Sequence, residues 1–209
     1  MDLQHNSAET RVLGALIEKE FSTPEYYPLS LNALCNACNQ KSNREPVMSL
    51  DEETVLAAVE GLKEKGLVLG ISGSEHRVHK YAHRLGEVFN FDRREQSLIC
   101  VLMLRGPQTV GELRGRSERL YSFDSLDDVE ATLARLMERT PRLVSKLARQ
   151  PGEKEARFAH LLAGEPETSS PAAAPVEQHR SPVEDRLDRL ESELAELRRQ
   201  FEEFRRNFE

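Results

Sequence analysis

The chain has 209 residues and a formal net charge of −7, with 29 Lys+Arg against 36 Asp+Glu. Its hydrophobic fraction is 38% and its charged fraction 31%, which points to small domains with a polar tail rather than one large core. No run of about 18 apolar residues occurs, so a membrane-spanning helix is excluded. The N-terminal MDLQHNSAET lacks the basic and apolar regions of a secretory signal, and three cysteines cannot all pair within the chain. A reducing, cytoplasmic setting is expected.

Residues 8–21 read as an amphipathic helix with Leu13, Leu16, Ile17 and Phe21 on one stripe, capped by Asn6 with Glu9 or by Ser7. Ser30 caps a second helix whose apolar face is Leu31, Leu34, Cys35 and Cys38. After the loop Gln40–Met48, Ser49 with Glu52 forms a capping-box pattern for a third helix. That helix carries Val55, Val59 and Leu62 and stops at Gly66. The period then changes: residues 67–71 and 77–83 predict two strands around the turn Ser72–Glu75. Three helices closed by a hairpin is the winged-helix order, over residues 1–88.

The order recurs over residues 89–163. Asp92 with Glu95 caps a helix bearing Leu98, Val101 and Leu102. Thr109 with Glu112 caps one bearing Val110 and Leu113, and Ser125 with Asp128 opens one bearing Val129, Leu133 and Leu136. Residues 143–147 and 155–161 predict a second hairpin. Leu13 matches Leu98, Leu34 matches Leu113, Val59 matches Leu133 and Tyr81 matches Phe158. Two copies of this length form a duplicated domain rather than a solenoid.

Residues 164–182, rich in Pro, Ala, Ser and Glu, predict a flexible linker. Over 183–209 the apolar positions Val183, Leu187, Leu190, Leu194, Leu197, Phe201, Phe204 and Phe208 step by alternating fours and threes, a heptad seam. An unpartnered seam would stand in water, so homo-oligomerisation through Leu187, Leu190, Leu194, Leu197, Phe201 and Phe204 is expected; folding back onto the chain's own domains is the alternative. The fold class is thus mainly α with small β-hairpins (α+β): two tandem winged-helix domains, a linker and a C-terminal coiled-coil helix.

The segments PLSLNALCNACNQKSNREPV (28–47), RGPQTVGELRGRSERL (105–120) and TPEYYPL (23–29) resemble the YceH family of uncharacterised bacterial proteins. The resemblance covers about residues 5–162 and implies tandem winged-helix domains; it brings no activity with it.

Cys35-x-x-Cys38 invites a metal or redox reading, but a second ligand pair and a βαβ context are missing. Both thiols sit on an apolar stripe, as expected for core residues, and Cys100 reads the same way. His79 and His83 can share a face of the predicted hairpin while His76 points away, so exposed polar roles outweigh a metal site. No phosphate loop, HExxH or GxSxG appears, and no cleft of paired carboxylates is signalled. An enzyme, a cofactor and a bound metal are therefore not expected.

The most informative polar cluster is Asn39, Gln40, Lys41, Ser42, Asn43 and Arg44, between the second and third helices. Arg114, Arg116 and Arg119 occupy the matching stretch of the second copy. Amides read adenine edges and cations meet phosphate or guanine, so these residues are candidate contacts to DNA or to an acidic protein. The alternative is a self-bonded structural loop. Against DNA, the third helices start with Asp51, Glu52 and Glu53, and with Asp127, Asp128 and Glu130, which oppose phosphates. By segment the net charge is −4 over 1–88, +2 over 89–163 and −5 over 164–209, short of a basic footprint. The expectation is a non-enzymatic, self-associating DNA-binding regulator, with a protein-interaction subunit of a larger bacterial complex as the alternative.

Overall fold

The computed structural model describes residues 4–71, 79–149, 153 and 155–164. It is a mixed α/β structure with seven helices and two small antiparallel sheets among the described residues. The expected linker and heptad seam, with Leu187, Leu190, Leu194, Leu197, Phe201 and Phe204, lie outside them.

The first half opens with α1 (Ser7–Ser22). Asn6 accepts from the Glu9 amide and its own N–H donates to the Glu9 carboxylate, a reciprocal capping box. Ser30 caps α2 (Leu31–Cys38) by accepting from the Ala33 amide. The cap of α3 (Glu52–Glu64) is Asp51, which accepts from the Thr54 amide, and not the expected Ser49. Leu50, one step before that cap, has both backbone groups bonded to the Asn39 amide, so the chain enters the helix later. Gly66, at φ 71°, follows the end of α3 in the left-handed conformation that an unbranched backbone takes easily.

Strands β2 (Val68–Ile71) and β3 (Lys80–His83) pair antiparallel, Val68 opposite His83 and Ile71 opposite Lys80. A strand not foreseen, β1 (Leu29–Ser30), pairs with β3 through Leu29 and Tyr81, giving the order β1-β3-β2. Two residues are too few to show a period of two. A short helix α4 (Leu85–Phe89), also unforeseen, leads into the second half.

There α5 (Arg93–Arg105) and α6 (Val110–Ser117) carry reciprocal capping boxes, Asp92 with Glu95 and Thr109 with Glu112. Ser125 caps α7 (Leu126–Glu138), and β4 (Val144–Lys146) pairs with β5 (Phe158–His160). Gln108 forms an isolated bridge to Phe158, where the first half has Leu29 opposite Tyr81.

The two halves meet through their first helices, with α1 packed on α5. Residues Glu9–Ile17 are buried without interruption, as are Ser97–Leu104. A helix apolar on nearly every side belongs inside. Gly14 sits where a Cβ would lie 2.9 Å from Leu104 Cδ2, so its bare backbone sets the close approach of the helices. Cys100 donates its S–H to the Gly14 carbonyl at 3.4 Å. One hydrophobic cluster runs from Val12 through Leu62 and Leu98 to Leu162.

Candidate anion-binding cleft

The loop between α2 and α3 is built by arginines. Arg11, buried within α1, donates to the carbonyls of Cys38 (3.0 Å) and Pro46 (2.5 Å). The Arg44 side chain has no exposure and forks onto the Glu18 carboxylate, at 2.6 and 3.1 Å. Arg44 also donates to the Ala37 carbonyl (2.8 Å), to Gln40 Oε1 (3.1 Å) and to the Asn43 carbonyl (2.9 Å). Across the halves, the Glu45 amide donates to the Leu104 carbonyl (2.8 Å) and Arg105 donates to Asn43 Oδ1.

This frame gives three of the sequence candidates partners inside the protein. Arg44 cannot meet a partner; it is the buried pin of the loop. Asn39 is half-buried and bonds both Leu50 backbone groups at 2.7 Å, a structural role. Arg114 is exposed but donates to the Phe123 and Asp124 carbonyls, bracing the turn from α6 to α7. The remaining candidates converge. Gln40, Lys41, Ser42 and Asn43 from the first half, and Arg116 and Arg119 from the second, line one cleft of about 760 Å³.

Sequence reasoning missed the rest of that lining. Lys19 lies in the last turn of α1 and Arg105 ends α5, where a cation suits the helix dipole. Cys100, Val101, Leu104 and Leu120 form the apolar floor and Gly115 part of the wall. Five cations, Lys19, Lys41, Arg105, Arg116 and Arg119, face two carboxylates, Glu18 and Glu118. Glu18 is already held by Arg44, so cations outnumber carboxylates in the lining although the chain is acidic. Arg116 pairs with Glu112 at 3.3 Å and donates to Gln108 Oε1. Lys41 and Arg119 are exposed and have no ion-pair partner among the described residues. Burial first, then the charges of Arg116 and Arg44, works against the Arg105 guanidinium and lowers its pKa.

The other chemical candidates behave as packing groups. Cys38 is buried, and that burial pushes its thiol up to about 12; Cys100 is driven up by burial too. Cys35 is raised by burial and by Glu52 and Asp51, and donates its S–H to the Leu50 carbonyl at 3.4 Å. All three thiols are unpaired. Among the described residues no group of three His, Cys, Asp or Glu side chains is placed to hold a metal. His83, expected at the surface, has a side chain 3% exposed, with Nε2 2.8 Å from the Glu20 carboxylate. Its neighbour Tyr27 accepts the His83 N–H at 2.7 Å. His79 is exposed and His76 lies outside the described residues. No described helix is long and apolar enough to cross a membrane.

The family described as "Protein of unknown function, DUF480" matches residues 5–153, nearly the whole of the described fold. A UPF0502 protein of Solibacter usitatus is 61% identical over 173 residues, covering 83% of this chain and 82% of its own. A UPF0502 protein of Citrifermentans bemidjiense is 58% identical over 173 residues, with 83% and 80% covered. A third, from Geotalea daltonii, is 56% identical over 180 residues, with 86% and 82% covered. The chain belongs to the DUF480 family of bacterial UPF0502 proteins.

Proposed function

We propose that the chain is a non-enzymatic tandem winged-helix protein of the YceH type that binds DNA as a regulatory module and self-associates through its C-terminal heptad segment. One observation carries this reading: cationic and amide side chains from the loop of the first half and from α6 of the second line a single positive cleft. Non-specific affinity for DNA comes chiefly from neutralising phosphates, and Lys41, Arg116 and Arg119 are exposed at that cleft. Three helices followed by a ribbon, repeated with matching caps, supports the winged-helix assignment. The phosphates meet the cleft mouth and not the third helices, whose exposed residues include Glu52, Glu53, Asp127 and Glu130. An electrophoretic mobility shift at low salt with genomic fragments tests the reading; absence of retardation at micromolar protein refutes it.

A second reading has its own support. The exposed face of α3 joins Leu56, 37% exposed, to Glu53 and Glu60, and that of α7 joins Leu126, 47% exposed, to Asp127 and Glu130. Apolar groups rimmed by carboxylates suit a basic protein surface better than a phosphate backbone. Affinity capture followed by mass spectrometry tests it, and recovery of self-copies alone argues against it.

A further inference from the structure

A space of about 760 Å³ falls within the size of small-ligand pockets, roughly 300–1,000 Å³. Arg105 is half-buried, and burial with the charges of Arg116 and Arg44 opposes its ionisation more than Glu18 and Glu112 support it. Lys41, Arg105 and Arg119 come from a loop, a helix end and the residues after α6, so the cations are contributed by three separate parts of the chain. No aromatic side chain lines the space, so it offers no stacking platform for a base.

The wall is open as well. Gly115 lies inside α6, where glycine is less favourable than alanine by about 1 kcal/mol. A Cβ at Gly115 would meet nothing within 4 Å, so packing within the protein does not require glycine there. Gly14, by contrast, is a glycine that packing does require. A bare helix backbone on a cationic wall permits close approach of a ligand from outside.

We propose that the cleft between the halves is a binding site for a small polyphosphate, free or as the phosphate chain of a nucleoside triphosphate, which competes there with DNA. Lys41, Arg105, Arg116 and Arg119 hold the phosphate oxygens, Ser42 and Gln40 add neutral donors, and Gly115 leaves the room. The competition, though not the binding, rests on the DNA reading above.

Isothermal titration of the full chain with sodium tripolyphosphate, with ATP and with sulfate, at matched ionic strength and without divalent cations, tests it. The expected result is saturable 1:1 binding of tripolyphosphate about 100-fold tighter than sulfate, some 2.7 kcal/mol. Gly115→Leu is expected to weaken it at least about tenfold while leaving the melting temperature unchanged or higher, because leucine is the better helix former. Equal affinity for ATP and tripolyphosphate assigns recognition to the phosphate chain alone; tighter ATP binding adds the nucleoside, and both support the site. Tripolyphosphate binding no tighter than sulfate, or wild-type binding by Gly115→Leu, overturns it. Polyphosphate binding without any duplex binding refutes the DNA reading alone. Duplex binding without polyphosphate binding refutes this inference alone.

Discussion

The carboxylate of Glu9 lies 2.7 Å from the ammonium of Lys65, tying the start of α1 to the end of α3. The second half repeats the device: Glu95, at the start of α5, lies 3.0 Å from Arg139 just after α7. Each glutamate is also the third residue of its capping box, so one carboxylate serves a helix start and a helix-to-helix clamp. Burial opposes ionisation of Glu9, but Lys65 and the Asn6 N–H outweigh it and its pKa is lowered. Removing either carboxylate strands a partly buried cation and an unmet cap N–H. Glu9→Ala and Glu95→Ala are each expected to destabilise the fold by about 2 kcal/mol, read by urea unfolding. A change within about 0.5 kcal/mol would reduce the clamp to a surface ion pair.

Arg44 and Lys41 are three residues apart and opposite in role. Arg44→Ala removes the fork on Glu18, leaving it only the longer Lys19 pair at 3.9 Å, and takes a donor from the Ala37 carbonyl; it is expected to cost about 3 kcal/mol in thermal or urea unfolding. Arg44→Lys should recover little, since one ammonium cannot reproduce the fork. Lys41→Ala is expected to leave stability within about 0.5 kcal/mol and to weaken anion binding. Equal stability losses at both positions would contradict the assignment of Arg44 as pin and Lys41 as contact.

These pairs mark what was legible in the sequence. Helix starts were, because Asn6, Ser30, Asp92, Thr109 and Ser125 act through bonds only three residues long. The duplicated order was also visible, since it repeats caps and stripes. The long-range ties were not: Glu9 and Glu95 announce a capping box but say nothing of Lys65 or Arg139. Arg11 and Arg44 look like surface cations until the carbonyls they bond are brought round by tertiary folding. Six of the sixteen lining residues were readable as polar clusters, but Lys19 and Arg105 join them only because α1 packs on α5.

His160 ends β5 with Nδ1 buried and without a hydrogen-bond partner among the described residues. Burial, and then the charge of His5, lowers its pKa from 6.5 to about 4. The unfolded chain therefore binds this proton first as the pH falls. Stability from a neutral His160 is complete above about pH 6.5 and lost progressively towards pH 4, by on the order of 3 kcal/mol. Urea unfolding of wild type and His160→Gln between pH 7 and pH 4 checks this. The wild type is expected to lose more stability over that window, and parallel curves would contradict it.

The thiols should be poor nucleophiles. Burial raises Cys38 to about 12 and raises Cys100 further from ionisation, and Cys35 is raised as well. In native buffer at pH 8, Ellman's reagent is expected to react slowly with Cys35 alone and to report three thiols only after denaturation. Fast reaction of two thiols in the native protein would restore a redox reading of Cys35 and Cys38.

The convergence of both halves on one cationic cleft is tested most directly by the salt dependence of duplex DNA binding, followed by fluorescence anisotropy from low to moderate salt. Wild-type affinity should fall linearly on a log–log plot. The double variant Lys41→Gln/Arg119→Gln, with one cation removed from each half, should lower the slope by about 1.8, near 0.9 per lost phosphate contact. An unchanged slope, or no binding by the wild type at the lowest salt, would contradict it.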